Sequence, residues 1–282
     1  MDLTIRSLDA GDLRAADAIL MSAFSPESRL ADLRRYLELQ PDGWFLASTP
    51  AGPAGMVGAV DYGPFAYIGL MGVHPRAQHQ GIGTALMRHL LDWLDRRGTP
   101  MARLDASAAG YPLYRRLGFV ECDRVLVFRC DRPARLAALP EGVRPLGPSD
   151  LPALLELDTP VFGTDRRRVL AGLVASQAGR AFVTRDRAGG LTGCLFALPR
   201  RLGPWIAQTS EDAGRLLQAA LTLDYSAPIL VSVPGKNPAG AALLEGAGFS
   251  LMDASHRHMR RGGTGLPGRR ELVYGQMSFA IG

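Results

Sequence analysis

Three short apolar runs, Trp44–Ala47, Gly55–Asp61 and Ala66–Val73, are separated by glycine, proline and aspartate. Their length and their boundaries predict β-strands. The period then changes. Ile82, Leu86, His89 or Leu90, Trp93 and Leu94 fall on one face at helical spacing, which predicts a helix over Gly83–Arg97 stopped by Gly98. Around this block the pattern predicts a strand at Leu3–Ser7 and helices over Asp12–Met21 and Glu27–Leu39. After it come a strand at Ala102–Ala106, a short helix over Ala109–Leu117 ended by Gly118, and a strand at Leu126–Cys130. The alternation implies a mixed α/β fold, a sheet with helices on both faces.

The pattern occurs twice. Ile5–Leu13 (IRSLDAGDL) and Val143–Leu151 (VRPLGPSDL) both read apolar-Arg-x-Leu-x-x-x-Asp-Leu. Each couples a strand signal to a helix start, with Asp12 or Asp150 as a first-turn or capping acid. Further on, Leu113–Phe119 (LYRRLGF) is echoed by Leu243–Phe249 (LLEGAGF). Two echoes in the same order predict two copies of one fold, residues 1–135 and 143–282. Arg129–Gly142 (RCDRPARLAALPEG) reads as the connection.

Composition narrows the class. A hydrophobic fraction of 47% suits a packed globular chain. No uninterrupted apolar stretch is long enough to span a bilayer, and the acid-bearing start MDLTIRSLDAGDLR is unlike a secretory signal. A cytoplasmic location and no membrane partner are expected. The net charge of +5 rests almost wholly on arginines mixed with acids. No basic stripe interleaved with aromatics appears, so no nucleic-acid partner is expected. Cys122, Cys130 and Cys194 are odd in number and lack close-pair spacing, which argues against a disulfide framework or a zinc site.

The richest chemistry stands at one turn, Val73–Met87 (VHPRAQHQGIGTALM). Pro75 ends the preceding strand. Gly81 and Gly83 allow a tight turn into the helix, whose first N–H groups and dipole make an anion site suited to phosphate. The stretch has no lysine for a P-loop, and Gly81-x-Gly83 is followed by Leu86 where a dinucleotide fingerprint requires glycine.

Gln78-x-x-Gly81-x-Gly83, preceded by Val-x-Pro, resembles the acetyl-CoA motif of the GNAT superfamily of N-acetyltransferases. Ser107–Phe119 (SAAGYPLYRRLGF) resembles that family's second signature, Asn-x-x-Ala-x-x-Leu-Tyr-x-x-x-Gly-Phe. Ser107 and Gly110 depart from it, whereas Leu113, Tyr114, Gly118 and Phe119 match. The resemblance covers roughly residues 3–130. It implies two tandem GNAT-like domains, each a mixed, splayed sheet flanked by helices, with acetyl-CoA as cosubstrate and no metal. Gln78, His79, Gln80, Gly81, Ile82, Gly83 and Thr84 would hold the pyrophosphate. The strand edge at Met71–Val73 would pair with the pantetheine arm, Ser107 would sit beside the cosubstrate, and Tyr114 would protonate the leaving thiolate. For a general base the sequence offers Asp61, Asp105, His74 or water. Phe24, Asp61, Tyr62 and Phe65 are candidates for the acceptor side.

The second copy lacks the glycine motif. After Pro204–Gln208 it reads TSEDAGRLL, which puts Glu211 and Asp212 where a phosphate would sit. Leu244 replaces the tyrosine, while Asn237 remains. This half, with its ending Gly268–Gly282, resembles the degenerate C-terminal domain of the YitH-like acetyltransferases. It is expected to keep the fold without acetyl-CoA and to wall the acceptor slot of the first copy. The expected activity is acetyl transfer to a primary amine, more readily a small molecule than a protein, in a ternary complex. A non-catalytic acyl-CoA or metabolite sensor is the alternative. His256 and His258, on one strand face, lack a third ligand for a metal site.

Overall fold

A computed structural model describes residues 2–225 and 228–282. The first copy runs β1 (Thr4–Ser7), α1 (Leu13–Ala23), α2 (Leu30–Leu39), β2 (Trp44–Thr49), β3 (Gly52–Asp61), β4 (Ala66–Val73), α3 (Ile82–Arg97), β5 (Met101–Ala106), α4 (Tyr111–Arg116) and β6 (Val120–Cys130). The second runs β7 (Val143–Pro145), α5 (Leu151–Phe162), α6 (Arg167–Ser176), β8 (Ala181–Arg185), β9 (Leu191–Leu198), β10 (Arg201–Ala207), α7 (Ser210–Ala220), β11 (Ile229–Pro234), α8 (Pro238–Gly246) and β12 (Ser250–Gly262), with an additional β13 (Val273–Gly275). The mixed α/β class and the order of elements are as expected. Helix α2 starts later than the pattern suggests. The Asp17 carboxylate takes the Ser28 hydroxyl at 2.7 Å and the Arg29 N–H at 2.6 Å, which holds the entry to α2 in a non-helical turn.

The repeated Arg-to-Asp spacing has a physical basis. Arg6 grips Asp12 through two bonds of 2.6 and 2.7 Å. Arg144 grips Asp150 in the same way, at 2.8 and 2.5 Å. Asp12 also accepts the Asp9 N–H, and Asp150 the Gly147 N–H. One motif therefore ties the first strand of each copy to its first helix and caps the turn between them.

The two sheets are not separate. A continuous path runs β1-β2-β3-β4-β5-β12-β6-β11-β10-β9-β8-β7. The sixth strands have been exchanged: β12 pairs with β5, and β6 pairs with β11, all antiparallel. β6 and β12 pair with each other across the middle. Residues 1–135 and 143–282 are thus interleaved, and neither completes its sheet alone.

The packing follows the same plan. On one side a single core includes Ile19, Leu20, Leu33 and Tyr36 of α1 and α2 together with Leu154, Leu157, Leu170 and Leu173 of α5 and α6. Met277, Ala280 and Ile281 belong to it. On the other side α3 and α4 cover the first copy, and α7 and α8 cover the second, as two separate cores. Residues 276–282 run between the copies and cross β4 at Gly69. A Cβ there would lie 2.2 Å from the Ala280 backbone, so only glycine admits the crossing.

Candidate active site

β4 and β5 are parallel and pair only at Ala66↔Ala102 and Tyr67↔Arg103. Beyond Tyr67 they part. On the other side of β4, Gly69 faces Gly58 and Gly72 faces Met56, so Leu70 and Met71 together oppose Val57 alone. This bulge, with Leu70 at φ +52, turns the free edge of β4 outward. The result is an open slot between β4 and β5.

The Val73–Met87 turn closes one end of that slot. A short 3-10 turn, Pro75–Ala77, follows the strand. His74 accepts the Arg76 N–H on Nδ1 at 3.2 Å, so it serves the turn. Gln78 donates to Val73 O at 3.1 Å, and Gln80 to Arg76 O at 3.3 Å. Gly81 sits at φ +80, a conformation that favours glycine, and is the N-cap of α3 without any side-chain cap. The first backbone bond of the helix runs from Ala85 N–H to Gly81 O. The N–H groups of Ile82, Gly83 and Thr84 therefore have no intrahelical acceptor and carry the positive end of the dipole. A helix start of this kind favours an anion.

The corresponding parts of the second copy are closed. Thr209 caps α7 by accepting the Asp212 N–H at 3.1 Å, and Asp212 is itself held by Arg215. β10 and β11 also part after one parallel pair, Arg201↔Leu230. There, however, β13 fills the gap, pairing with β10 at Trp205↔Gly275 and Ile206↔Val273. Asn237 donates to Val273 O at 3.0 Å and helps hold this strand. The chain itself thus occupies the second slot.

A cleft of about 420 Å³ opens from the first slot. Ile68, Gly69, Leu70, Met71, Leu104, Asp105, Ser107 and Tyr114 line it from the first copy's slot. Phe24, Arg29, Asp32 and Tyr36 come from α1 and α2 and their connection. Arg201, Leu230, Met252, Asp253, His256, Ser278, Phe279 and Ala280 come from the second half, so both copies build it. Tyr114 packs edge-on against Phe119, and its hydroxyl has no hydrogen bond among the described residues. Burial raises its pKa, so at neutral pH it is a phenol with a free O–H. Ser107 accepts the Gly110 N–H at 3.2 Å, beside Tyr114.

Of the acceptor-side candidates only Phe24 lines the cleft; it is 51% exposed. Asp61 is bound elsewhere, accepting from Arg97 Nε at 2.9 Å and Thr99 Oγ1 at 3.0 Å. Tyr62 donates to Ile281 O at 2.8 Å and packs on Phe65 and Phe162. Phe65 is fully buried beneath the Arg103 guanidinium. Tyr62 and Phe65 pack against Phe162 of α5 in the second copy, whereas Asp61 is bound within the first.

Asp105 is in the cleft wall but heavily engaged. It accepts from the Tyr67 hydroxyl, from His258 Nδ1 at 2.7 Å and from Gln276 Nε2 at 3.1 Å. Arg103 Nε donates to His258 Nε2 at 3.4 Å, so the proton of a neutral imidazole sits on Nδ1. Burial, reinforced by the Arg270 charge, lowers the His258 pKa to about 4 despite Asp105. His258 takes up a proton more readily when unfolded. Its contribution to stability is complete above the unfolded value near 6.5 and is lost as pH falls from about 6.5 through 4. The loss should be on the order of 3 kcal/mol. Urea titrations at pH 7 and pH 4.5 measure it. His258→Asn should lack this part of the pH dependence, and an unchanged dependence would refute the assignment.

Sequence reasoning weighed His256 only as a metal ligand, whereas the structure places it in the cleft wall. β12 carries extra residues against β6 on both sides of Asp253. From Ser250 to His256 it pairs with β6 alone, because β5 ends at Ala106. This irregular edge faces the cleft. His256 Nδ1 lies 2.9 Å from Asp253 Oδ2, and its ring stacks on Phe279 at 4.6 Å. The His-x-His spacing was visible, but the bulges that separate the roles of the two histidines were not. Among the described residues no three His, Cys, Asp or Glu side chains form a metal site, and no helix is long and apolar enough to cross a membrane.

Comparison with known proteins fits this architecture. Residues 13–119 match the Acetyltransferase (GNAT) family, and residues 154–275 match an Acetyltransferase (GNAT) domain. A candidate acetyltransferase from Pyrococcus horikoshii is similar in structure with a TM-score of 0.86 and 29% identity, over 99% of this chain and 96% of that one. A GCN5-related N-acetyltransferase from Sphaerobacter thermophilus shares the fold, with a TM-score of 0.72 and 18% identity over 95% and 98% of the two chains. No curated protein matches the sequence.

Proposed function

The chain belongs to the GNAT acetyltransferase family, both halves matching it, and on that premise we propose that its first copy transfers acetyl from acetyl-CoA to a primary amine of a small molecule. The observation that carries this reading is the junction of an open strand slot and the free hydroxyl of Tyr114 in one cleft, with an uncapped helix start beside Met71 of β4.

In this reading the N–H groups from Gln78 to Thr84 take the pyrophosphate, and the β4 edge at Met71–Val73 pairs with the pantetheine amides, much as a peptide adds to a sheet. Ser107 stands beside the thioester. The amine nitrogen attacks the acetyl carbon, the new C–N bond forms and the C–S bond breaks. Tyr114 gives its proton to the departing thiolate. An amine is protonated at neutral pH and must shed a proton before attack and another during it. His256 takes this role, directly or through water. Asp253 lies 2.9 Å from its Nδ1. Asp105, already holding three donors, is a positioning residue.

The closed helix start and the β13 plug support a second copy that does not take acetyl-CoA. Isothermal titration with acetyl-CoA should therefore show one site per chain. Two sites would overturn the assignment of the second copy. No binding at millimolar ligand would overturn the acetyl-transfer reading.

A further inference from the structure

Two arginines of the cleft have no ion pair of their own among the described residues. Asp32 is held by Arg35, Asp253 lies beside His256, and Asp105 has three donors. Nearby, Glu27 is held by Arg200 at 2.5 Å. Arg29 and Arg201 also line the cleft, and neither has a carboxylate within ion-pair distance among the described residues. Arg201 is tethered by one arm, Nη1 donating to Met277 O at 2.7 Å. Arg29 Nε is buried without a partner, and its guanidinium lies 6.0 Å from the centre of the Phe24 ring. Burial lowers the Arg201 pKa, and the charge of Arg29 lowers it further, while Asp32 and Tyr36 partly offset this.

Two guanidiniums that share a concavity without a direct ion pair, one with a buried unpartnered Nε, leave donors that an arriving anion can pair with. The start of α2 in the first copy supplies one arginine, and the start of β10 in the second supplies the other. Neither copy alone has both. We propose that the acceptor amine carries an anionic group, a carboxylate or phosphate, which Arg29 and Arg201 bind while its amine is presented to the thioester. This rests on the acetyl-transfer reading above. It assigns a purpose to the retained second copy: Arg201 selects the acceptor, and β12 brings His256 to its amine. The volume of about 420 Å³, shared with the end of the pantetheine arm, suits a small metabolite rather than a folded protein surface.

The test uses amines that differ only in the anion: ornithine against putrescine, arginine against agmatine, and phosphoethanolamine against ethanolamine. Release of free thiol from acetyl-CoA is followed with the full chain, Arg201→Met and Arg29→Gln, alongside the acetyl-CoA Kd of each. The anionic member of a pair should have a kcat/KM at least about 10-fold higher, as expected for charge-assisted pairing. Preference within the amino-acid pairs or within the phosphoethanolamine pair tells carboxylate from phosphate. Each substitution should shrink the preference several-fold through KM, with the acetyl-CoA Kd unmoved. Equal or better use of the neutral amine overturns the proposal, as does a preference that survives both substitutions. Absence of turnover with every anionic amine, in protein that binds acetyl-CoA, overturns it too. Protein that does not bind acetyl-CoA overturns the acetyl-transfer reading first, and this inference with it.

Discussion

Replacing Tyr114 with Phe should lower kcat by about two to four orders of magnitude while leaving the acetyl-CoA Kd within a few-fold of the parent. The ring stays in its packing against Phe119, so the cleft wall is preserved. What disappears is a phenol O–H in the slot that has no partner among the described residues. The loss should fall on kcat because the proton is needed only as the C–S bond breaks. His256→Gln provides the contrast. It should lower kcat/KM at neutral pH, where the amine must still be deprotonated, and the loss should shrink as pH rises toward the amine's own pKa. A sensor that binds an acyl-CoA without turnover predicts no effect from either change. Equal turnover by Tyr114→Phe and the parent would refute the assignment of the acid.

Gly81→Glu should weaken acetyl-CoA binding by at least about 100-fold. Two effects act together. Gly81 stands at φ +80, where a side chain costs about 1–2 kcal/mol. The carboxylate would also enter the space in front of the α3 start, where it repels phosphate and competes for the Ile82, Gly83 and Thr84 N–H groups. A Cβ at this position meets nothing within 4 Å, so the fold should survive. Titration of the variant reads the loss directly, and circular dichroism checks the fold. Retained affinity would mean that the phosphates bind elsewhere.

The asymmetry between the copies gives these tests their meaning. In the second, Thr209 caps the helix start by accepting the Asp212 N–H, and β13 lies where the first copy leaves a slot. The second copy contributes Arg201, Leu230, Met252, Asp253 and His256 to the first copy's cleft.

Local features were legible in the sequence because their causes are local. The glycine turn before α3, the strand runs, the Arg-to-Asp pairs at the head of each copy and the lost glycines of the second copy depend on residues a few positions apart. Period-2 and period-3.6 patterns report which face of an element is buried, whatever lies against it. They carry no information about the neighbour. Tertiary structure alone decided that β6 and β12 change places, that β13 enters the second slot, and that residues 276–282 pass over Gly69. Each of these joins residues far apart in sequence, and an apolar strand reads the same beside either partner. That is why Tyr62 and Phe65 read as acceptor-side candidates in the sequence, whereas in the fold they pack against Phe162 of the second copy. It is also why His256, Asp253 and Arg201 stood out only once the second copy was folded against the first.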